Sequence, residues 1–449
     1  MNRMLTAVMA LTLLAAPTWA ASVNCTSGGL EDAVTDLSIT ELTVSGTIDV
    51  RDFSFIAESL EALTTLDISA TTITEYTCGA SESYFAERGT FAAGTLPLTS
   101  FFGMGLTQVS LPSSLEAIGA GAFAGCTSLT AISIPASVTE IGEGAFYGSG
   151  LVSVSVDAAT IGDRAFTYCQ SLLAVEIGAS VQTIGEAAFA GCPSLAAVTL
   201  ASSSSLAEIG DEAFAETAIK TFNFYNCSSD VKLGEWIFAG APISSPILPT
   251  GLTEIPEGTY FGNTGATEIT IPDAVVTIGN YAYYGNSALT TMTVPSQVTY
   301  IGDNAFEGTG LTEVTAWPTT APELGEDVFE GVNDSSRAKL IVVEDAYTSY
   351  STAEQWKEFD IQVDDSGVDD IVAEDATLKA LFIDKTLEII ATECIVRLTV
   401  ADETGMTISY NDTHSCTVDV DTSALGGHVY VVRAWLANGT SRTLKLMRR

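Results

Sequence analysis

The stretch Ile118-Gly119-Ala120-Gly121-Ala122-Phe123 decides the fold, because a phrase of this kind recurs ten times along the chain. In every copy an aliphatic residue is followed five places later by Phe or Tyr. Successive copies begin 20 to 25 residues apart, a period that is typical of a solenoid. The copies begin at Ile118, Ile141, Ile161, Ile184, Ile209, Leu233, Ile255, Ile278, Ile301 and Leu324.

The residues between two phrases alternate between apolar and polar, as the segment Leu129–Pro135 illustrates. This alternation predicts a strand whose apolar side chains, Ile132 and Ile134 among them, point inward. Phe146 is predicted to fill the centre of the coil, and Gly142 to form a turn where a side chain does not fit. Each coil has too little apolar surface to fold alone, so the coils must stack.

Residues 129–146 read L-T-A-I-S-I-P-A-S-V-T-E-I-G-E-G-A-F, and residues 289–306 follow the same pattern. This pattern resembles the BspA-type leucine-rich repeat, which is common in surface proteins of Bacteroidetes and some parasites. The resemblance covers about half of the chain and implies a mainly β leucine-rich-repeat solenoid with coils of about 23 residues. Departures are local: Pro256 replaces the Gly, Tyr260 and Tyr283 replace Phe, and the coil after Phe214 is stretched.

The N-terminal residues predict export. Arg3, an apolar run over residues 4–16 and small residues before Ala20 are typical of a signal peptide, residues 1–20. Residues 21–104 are predicted to form an N-terminal cap with degenerate repeats, since the first coil of a solenoid otherwise exposes its apolar face. Within this cap, residues 42–48 and 63–69 read as strands, and helical spacing begins at Asp52.

Regular repeats are predicted over residues 105–362, and an aromatic-bearing element at residues 346–359 closes the array. An acidic linker, residues 363–376, follows. Residues 377–449 contain short alternating segments separated by turn signals, which predict a small β-sandwich.

The C-terminal segment resembles the sorting domain of type IX secretion substrates. Residues 402–405 fit that family's D-x-x-G turn, residues 429–433 fit its late strand, and residues 445–449 fit its basic end. His428 stands where the family has Gly. The resemblance implies that the secretion machinery recognises this domain and addresses the protein to the outer-membrane surface.

Charge excludes several classes of partner. The formal net charge is -39, with 17 basic and 56 acidic residues. Nucleic acid and anionic membranes are not expected partners, because contacts with phosphate need basic side chains. After the signal peptide, no run of residues is long and apolar enough to predict a transmembrane segment.

The eight cysteines belong to an exported protein, where disulfides can persist. Pairing of Cys25 with Cys78, and of Cys394 with Cys416, is predicted within the two end domains. Three others occupy one column, each three residues after a repeat Phe, and are interpreted as small buried thiols: Cys126, Cys169 and Cys192. A disulfide between the last two stays open.

No catalytic constellation is evident. The two histidines, His414 and His428, both lie in the C-terminal segment, so the solenoid cannot carry a His-dependent triad or metal site. No CxxC pair and no Gly-rich phosphate loop is present, and no cofactor is expected. A carboxylate pair for glycoside hydrolysis stays open, because acidic residues are abundant.

The candidate functional surface consists of outward strand positions, which stack from coil to coil into two columns. Their side chains are short and mostly uncharged, so the alternative is simple β-propensity and solubility. Exposed aromatics at Trp236, Tyr281 and Tyr284 could anchor a partner, although half or more are expected to pack between coils. The candidate face comprises Gln108, Ser110, Ser133, Ser153, Ser155, Glu176, Thr199, Thr221, Asn223, Glu268, Thr270, Thr291, Thr293, Glu313 and Thr315.

These features favour a secreted or cell-surface protein that binds other proteins and has no catalytic activity. The family resemblance implies host matrix proteins or other bacteria as partners. The alternatives are a glycan-binding surface protein and, more remotely, a carboxylate-dependent hydrolase.

Overall fold

The computed structural model describes residues 20–228, 230–244, 246–332, 336–363, 378–383, 386–402, 407–421, 429–437 and 441–447. The predicted signal peptide and acidic linker therefore lie outside the described residues, apart from Ala20 and Val363. The chain divides into two compact units. One reaches Ile361, and the other contains the C-terminal strands together with residues 342–345.

The N-terminal segment forms the parallel start of the solenoid. Its first three long strands pair side by side in chain order, and a short antiparallel hairpin follows them. The carboxylates of Asp49 and Asp52 cap the second helix, because they accept N–H groups that have no partner within the first turn. The elements are β1 (Ala20–Cys25), α1 (Leu30–Ala33), β2 (Glu41–Ile48), α2 (Val50–Ser59), β3 (Thr65–Ile73), β4 (Tyr76–Thr77) and β5 (Thr90–Phe91).

Two kinds of short parallel strand then recur along the solenoid, although some coils lack the second kind. In the ten copies of the phrase, the first kind has two residues and contains the aliphatic residue, whereas the second kind lies on the predicted face. The strands are β6 (Thr95–Leu96), β7 (Gln108–Ser110), β8 (Ala117–Ile118), β9 (Glu140–Ile141), β10 (Ser153–Val156), β11 (Thr160–Ile161), β12 (Ala174–Ile177), β13 (Thr183–Ile184), β14 (Ala197–Leu200), β15 (Glu208–Ile209), β16 (Lys232–Leu233), β17 (Glu254–Ile255), β18 (Glu268–Ile269), β19 (Thr277–Ile278), β20 (Thr291–Val294), β21 (Tyr300–Ile301), β22 (Glu313–Ala316), β23 (Glu323–Leu324) and β24 (Lys339–Val342).

The two-residue strands join neighbouring coils. The N–H of Gly142 donates to the carbonyl of Ile118 in the coil before, at 2.8 Å. A Cβ at Gly142 would lie 2.7 Å from the backbone nitrogen of Ala120, closer than real contacts allow. The prediction is confirmed, because the carbonyl of Gly142 accepts the N–H of Ala145 at 3.2 Å and so begins a turn. A side chain does not fit there because the backbone of the coil before lies too close.

The repeat aromatic residues form the buried spine of the solenoid, as predicted. Phe146 is fully buried, and its ring centroid lies 5.2 Å from that of Phe123 and 5.0 Å from that of Phe166, with the rings nearly parallel. The stack continues to Phe329, whose ring contacts Trp356 and Phe359. These last aromatics belong to the predicted closing element, which contains α3 (Tyr347–Thr352) and a 3-10 turn (Trp356–Glu358) before β25 (Asp360–Val363).

The second unit is an antiparallel sheet. The strand β27 (Thr386–Asp402) pairs with β28 (Thr407–Asp421) along one edge. Along the other edge it pairs with β26 (Leu378–Ile383) near its start and with β29 (Val429–Leu436) near its end. The predicted mainly β fold is confirmed, and these strands form one hydrogen-bonded sheet with its own apolar core. The sheet also contains β30 (Ser441–Met447).

Candidate binding surface

The predicted face exists as exposed columns. Ser155 pairs with Glu176 and Glu176 with Thr199, while Thr293 pairs with Thr315 in the later coils. Most of the fifteen candidate side chains are exposed and none is buried. Ser110, Glu313 and Thr315 are half-buried. Their part in binding stays a prediction.

These columns are not one continuous ladder. Ser133 and residues 221–223 lie at positions of the face that have no strand geometry. These gaps separate the ladder β10-β12-β14 from the ladders on either side. In the second gap, the rings of Phe222 and Phe224 pack against Phe238 of the spine. The face therefore consists of separate segments along the solenoid.

A second surface lies at the fourth position of the recurring phrase. In each of the ten copies this residue has left-handed backbone geometry, with φ between 51° and 62°. The N–H of Trp236 at this position donates to the carbonyl of Glu257 in the next coil, at 2.8 Å. Left-handed geometry is strained for residues with a side chain, so the bonds between coils impose it.

Aromatic side chains cluster at this position and beside it. Trp236 stacks on Tyr281, although a whole coil lies between them, with ring centroids 6.1 Å apart. The Phe261 ring is 5.2 Å from that of Trp236, and it stacks in parallel on Tyr284 at 4.9 Å. All four side chains are half-buried, so part of each ring faces solvent. We call Trp236, Phe261, Tyr281 and Tyr284 the aromatic platform.

Gly258 permits the stacking of Trp236 on Tyr281. Gly258 occupies the fourth position in the intervening coil, and a Cβ there would lie 2.3 Å from ring carbons of Trp236. The indole therefore lies over the Gly258 backbone. The sequence pointed to three of the four aromatics, but it missed Phe261. The signal that could have linked them is that Trp236, Gly258 and Tyr281 occupy the same position in consecutive phrases.

A cleft opens beside the aromatic platform where the two-residue strands stop pairing. The ladder from β6 to β16 ends at Leu233, and a new one begins at Ile255. In neighbouring copies the Gly N–H joins two coils, as Gly234 donates to Ile209 and Gly279 to Ile255, both at 2.8 Å. Pro256 has no N–H, so the equivalent bond to Leu233 cannot form. The resulting open cleft has a volume of about 890 Å³.

The cleft is acidic. Among the described residues, its lining contains five carboxylates and one basic side chain, Lys232. Partial burial raises the pKa of Glu235, and the negative charges of neighbours, chiefly Glu257 and Asp211, raise it further. The cleft therefore favours positive charge. The five carboxylates belong to Asp211, Asp230, Glu235, Glu254 and Glu257.

Part of this acidity has a structural role. The carboxylate of Asp211 accepts the N–H of Glu235 at 2.8 Å, and that of Asp303 accepts the N–H of Glu326 at 2.8 Å. These residues occupy the third position of the phrase, where a short acid bonds to the next coil. Glu235 and Glu257 occupy the same position, but their longer side chains make no such bond to the backbone, and their charges stay at the surface.

The cysteine predictions have different outcomes. Cys25 and Cys78 are free thiols, so their predicted disulfide is wrong. The Cys25 thiol instead points along the sheet toward the carbonyl of Thr47, at 3.7 Å. The side chains of Cys394 and Cys416 lie outside the described residues, and their pairing stays a prediction.

The column cysteines are buried free thiols, as predicted for Cys126, Cys169 and Cys192. Each thiol donates to the carbonyl of a spine residue in the coil before, at 3.0 to 3.2 Å. Burial raises the pKa of Cys126 to about 12. These groups are therefore part of the packing between coils.

Within the described part of the chain, no group of His, Cys, Asp and Glu side chains converges in a way that would hold a metal ion. No helix there is long and apolar enough to cross a membrane.

Short parallel strands stacked on an aromatic spine define a leucine-rich-repeat protein. The family model for the BspA type leucine rich repeat region matches residues 95–220, 159–263 and 207–336. These segments together span 242 of the 449 residues, more than half of the chain. The chain belongs to the BspA-type leucine-rich-repeat family.

Solved structures that are similar to this chain come from several bacteria. A leucine-rich repeat protein from Bacteroides ovatus is 20% identical, with a TM-score of 0.41, over 71% of this chain and 87% of that chain. A leucine rich cell surface protein from Faecalibacterium prausnitzii is 21% identical, with a TM-score of 0.26, over 56% of this chain and 86% of that chain. The T. pallidum leucine rich repeat protein is 25% identical, with a TM-score of 0.28, over 39% of this chain and 74% of that chain. No curated protein sequence matches this chain.

Proposed function

We propose that this protein is secreted or displayed at the cell surface, where it binds other proteins in adhesion to host matrix or to other cells. The observation that carries the proposal is the exposed face, on which equivalent polar positions stand in register across neighbouring coils. A solenoid of this kind offers an extended surface that a large partner can cover. Membership of the BspA-type family supports the same role. Catalysis is not part of the proposal.

The test compares a panel of matrix proteins with a glycan array, using the full chain without its signal peptide. Replacing Thr291 and Thr293 with Arg places two bulky charges on the proposed face, while Thr299→Arg places one on an exposed site outside it. Binding to a matrix protein should fall at least tenfold in the first variant and stay within twofold in the second. Recognition of glycans alone would favour the glycan-binding alternative. Turnover of a polysaccharide, abolished by one Asp or Glu substitution, would show a hydrolase.

We also propose that residues 377–449 direct the protein across the outer membrane, on the basis of their resemblance to type IX sorting domains. The late strand of that resemblance corresponds to the start of β29, whereas residues 403–405 of the proposed turn lie outside the described residues. Deletion of residues 377–449 should leave the protein in the periplasm. Fusing the same segment to a periplasmic reporter is the matched control, and it should bring the reporter to the surface. Normal display of the truncated protein would refute the proposal.

A further inference from the structure

We infer that the aromatic platform is a docking surface for a lysine- or arginine-bearing segment of the partner protein. This inference rests on the proposed protein-binding function and names the place and the chemistry of one contact. Four aromatic rings are gathered at the surface of the solenoid and are partly open to solvent. The fold does not require this arrangement.

The repeat itself has no need of these rings. Gly121 and Ala187 occupy the same fourth position in other coils, with the same left-handed backbone. Neither supplies a ring, and both coils keep their hydrogen bonds to the next coil. A tryptophan adds the strain of a side chain at positive φ without being needed for the coil. Seven of the ten copies have a side chain at this left-handed position, so the strain belongs to the repeat, and only the aromatic ring is particular to Trp236 and Tyr281.

The platform is also arranged to receive a partner. Trp236 and Tyr281 stack across Gly258, while Phe261 and Tyr284 lie beside them, so the rings form one continuous patch over three coils. Such rings are the side chains that most often anchor protein interfaces, because they bury a large area and lose little conformational entropy.

Charge selects the chemistry of the occupant. The residues directly before Trp236 and Gly258 are Glu235 and Glu257, and both line the acidic cleft. A cation held over an aromatic face is attracted by the ring quadrupole, and neighbouring carboxylates attract it too. An acidic or neutral segment would gain the contacts with the rings but not the electrostatic attraction. A lysine or arginine side chain gains both, with its aliphatic part on the rings and its charged end toward the cleft.

The opening of the cleft belongs to the same arrangement. Pro256 interrupts the ladder between Leu233 and Ile255, next to the platform. The backbone bonds on the platform side continue through this point, since Trp236 donates to Glu257 and Phe238 to Thr259. These bonds hold the coils together beside the rings, while the missing link at Pro256 leaves the carboxylates accessible.

The test uses the full mature chain and a fluorescein-labelled decapeptide of alternating Lys and Gly, with Gln–Gly and Glu–Gly decapeptides for comparison. Fluorescence anisotropy should detect the Lys peptide, and its affinity should fall as salt is added. Trp236→Ala should weaken binding at least tenfold. Alanine is compatible with this backbone, as Ala187 shows.

Matched controls separate the platform from general effects. Tyr147→Ala removes an exposed aromatic ring in an earlier coil, where Tyr168 is its ring partner. It should change binding less than twofold. Glu257→Gln should weaken binding several-fold, whereas Glu326→Gln, at the same phrase position outside the cleft, should not. Melting curves by circular dichroism should show that every variant is folded.

Several results would overturn the inference. These are a Lys peptide that does not bind at millimolar concentration, a Gln peptide that binds equally well, or equal losses for the Trp236 and Tyr147 variants. Binding on a glycan array that Trp236→Ala removes would assign the platform to sugar rings instead. The matrix-protein panel keeps the two proposals apart. If a matrix protein binds and Trp236→Ala leaves that binding unchanged, this inference fails while the proposed function stands.

Discussion

The rings of Trp236 and Tyr281 stack with centroids 6.1 Å apart, although 45 residues and one complete coil separate them in the chain. The contact is possible because Gly258, between them, has no side chain to keep the indole away from the backbone. Gly258 thus allows aromatic rings from two coils that are not neighbours to form one surface.

Pro256→Gly should restore the missing link between coils. The new N–H should donate to Leu233, so hydrogen exchange at residue 256 should be slow, as at Gly279. The bond should add about 1 kcal/mol, while the more flexible unfolded chain should remove about 0.4–1 kcal/mol. The free energy of unfolding should therefore change little, and a narrower cleft should weaken binding of the Lys peptide. Pro272→Gly is the control away from the cleft, and it should leave peptide binding unchanged. Rapid exchange at residue 256 in a folded variant would contradict this explanation of the cleft.

Phe146→Ala should destabilise the solenoid strongly. The side chain is fully buried between Phe123 and Phe166, and its removal should cost about 3–5 kcal/mol from lost burial and the cavity left behind. Tyr147→Ala, at the adjacent exposed position, should cost less than about 1 kcal/mol. Denaturation by guanidinium chloride, followed by circular dichroism, measures both. Equal losses in the two variants would show that the spine is not the main source of stability.

Gly142→Ala should destabilise the protein by about 1–3 kcal/mol, because the added methyl would press on the backbone of the coil before. Gly105 has ordinary φ and open space at its Cβ position. Gly105→Ala should therefore stay within about 0.5 kcal/mol of the parent. Thermal melting compares the two substitutions. An unaffected Gly142→Ala protein would mean that the coils can separate freely at this ladder.

The buried thiols should resist alkylation in the folded protein. Because the pKa of Cys126 is raised to about 12, only about one thiol in ten thousand is ionised at pH 8. Raising the pH toward 10 should increase the thiolate fraction, but burial still limits access. Among the cysteines whose side chains the structure describes, Cys78 and Cys227 are only half-buried and should react with iodoacetamide before the others. Peptide mapping by mass spectrometry, before and after unfolding, identifies each cysteine. Rapid native labelling of Cys126 would contradict its burial.

This chain shows which structural features can be predicted from a sequence pattern. The recurring phrase predicted the stacked coils and the Phe146 spine, because burial of a repeated aromatic residue follows directly from its spacing. Outside the repeats, the predicted disulfide between Cys25 and Cys78 is wrong, since the spacing of two cysteines does not determine where their thiols point. The phrase also predicted that a side chain does not fit at Gly142, but it could not identify the backbone of the preceding coil as the obstacle, because that coil lies outside the local sequence.

The sequence by itself determined the repeat, the family and the alternation of buried and exposed positions, since each of these depends on side-chain pattern within one coil. Only the tertiary structure decided that Trp236 meets Tyr281 across Gly258, and that Pro256 opens a cleft beside them. Both depend on the register between coils, where one missing side chain or one missing N–H changes the distance between backbones. The surface available to a partner is therefore set by contacts between coils rather than by the repeat itself.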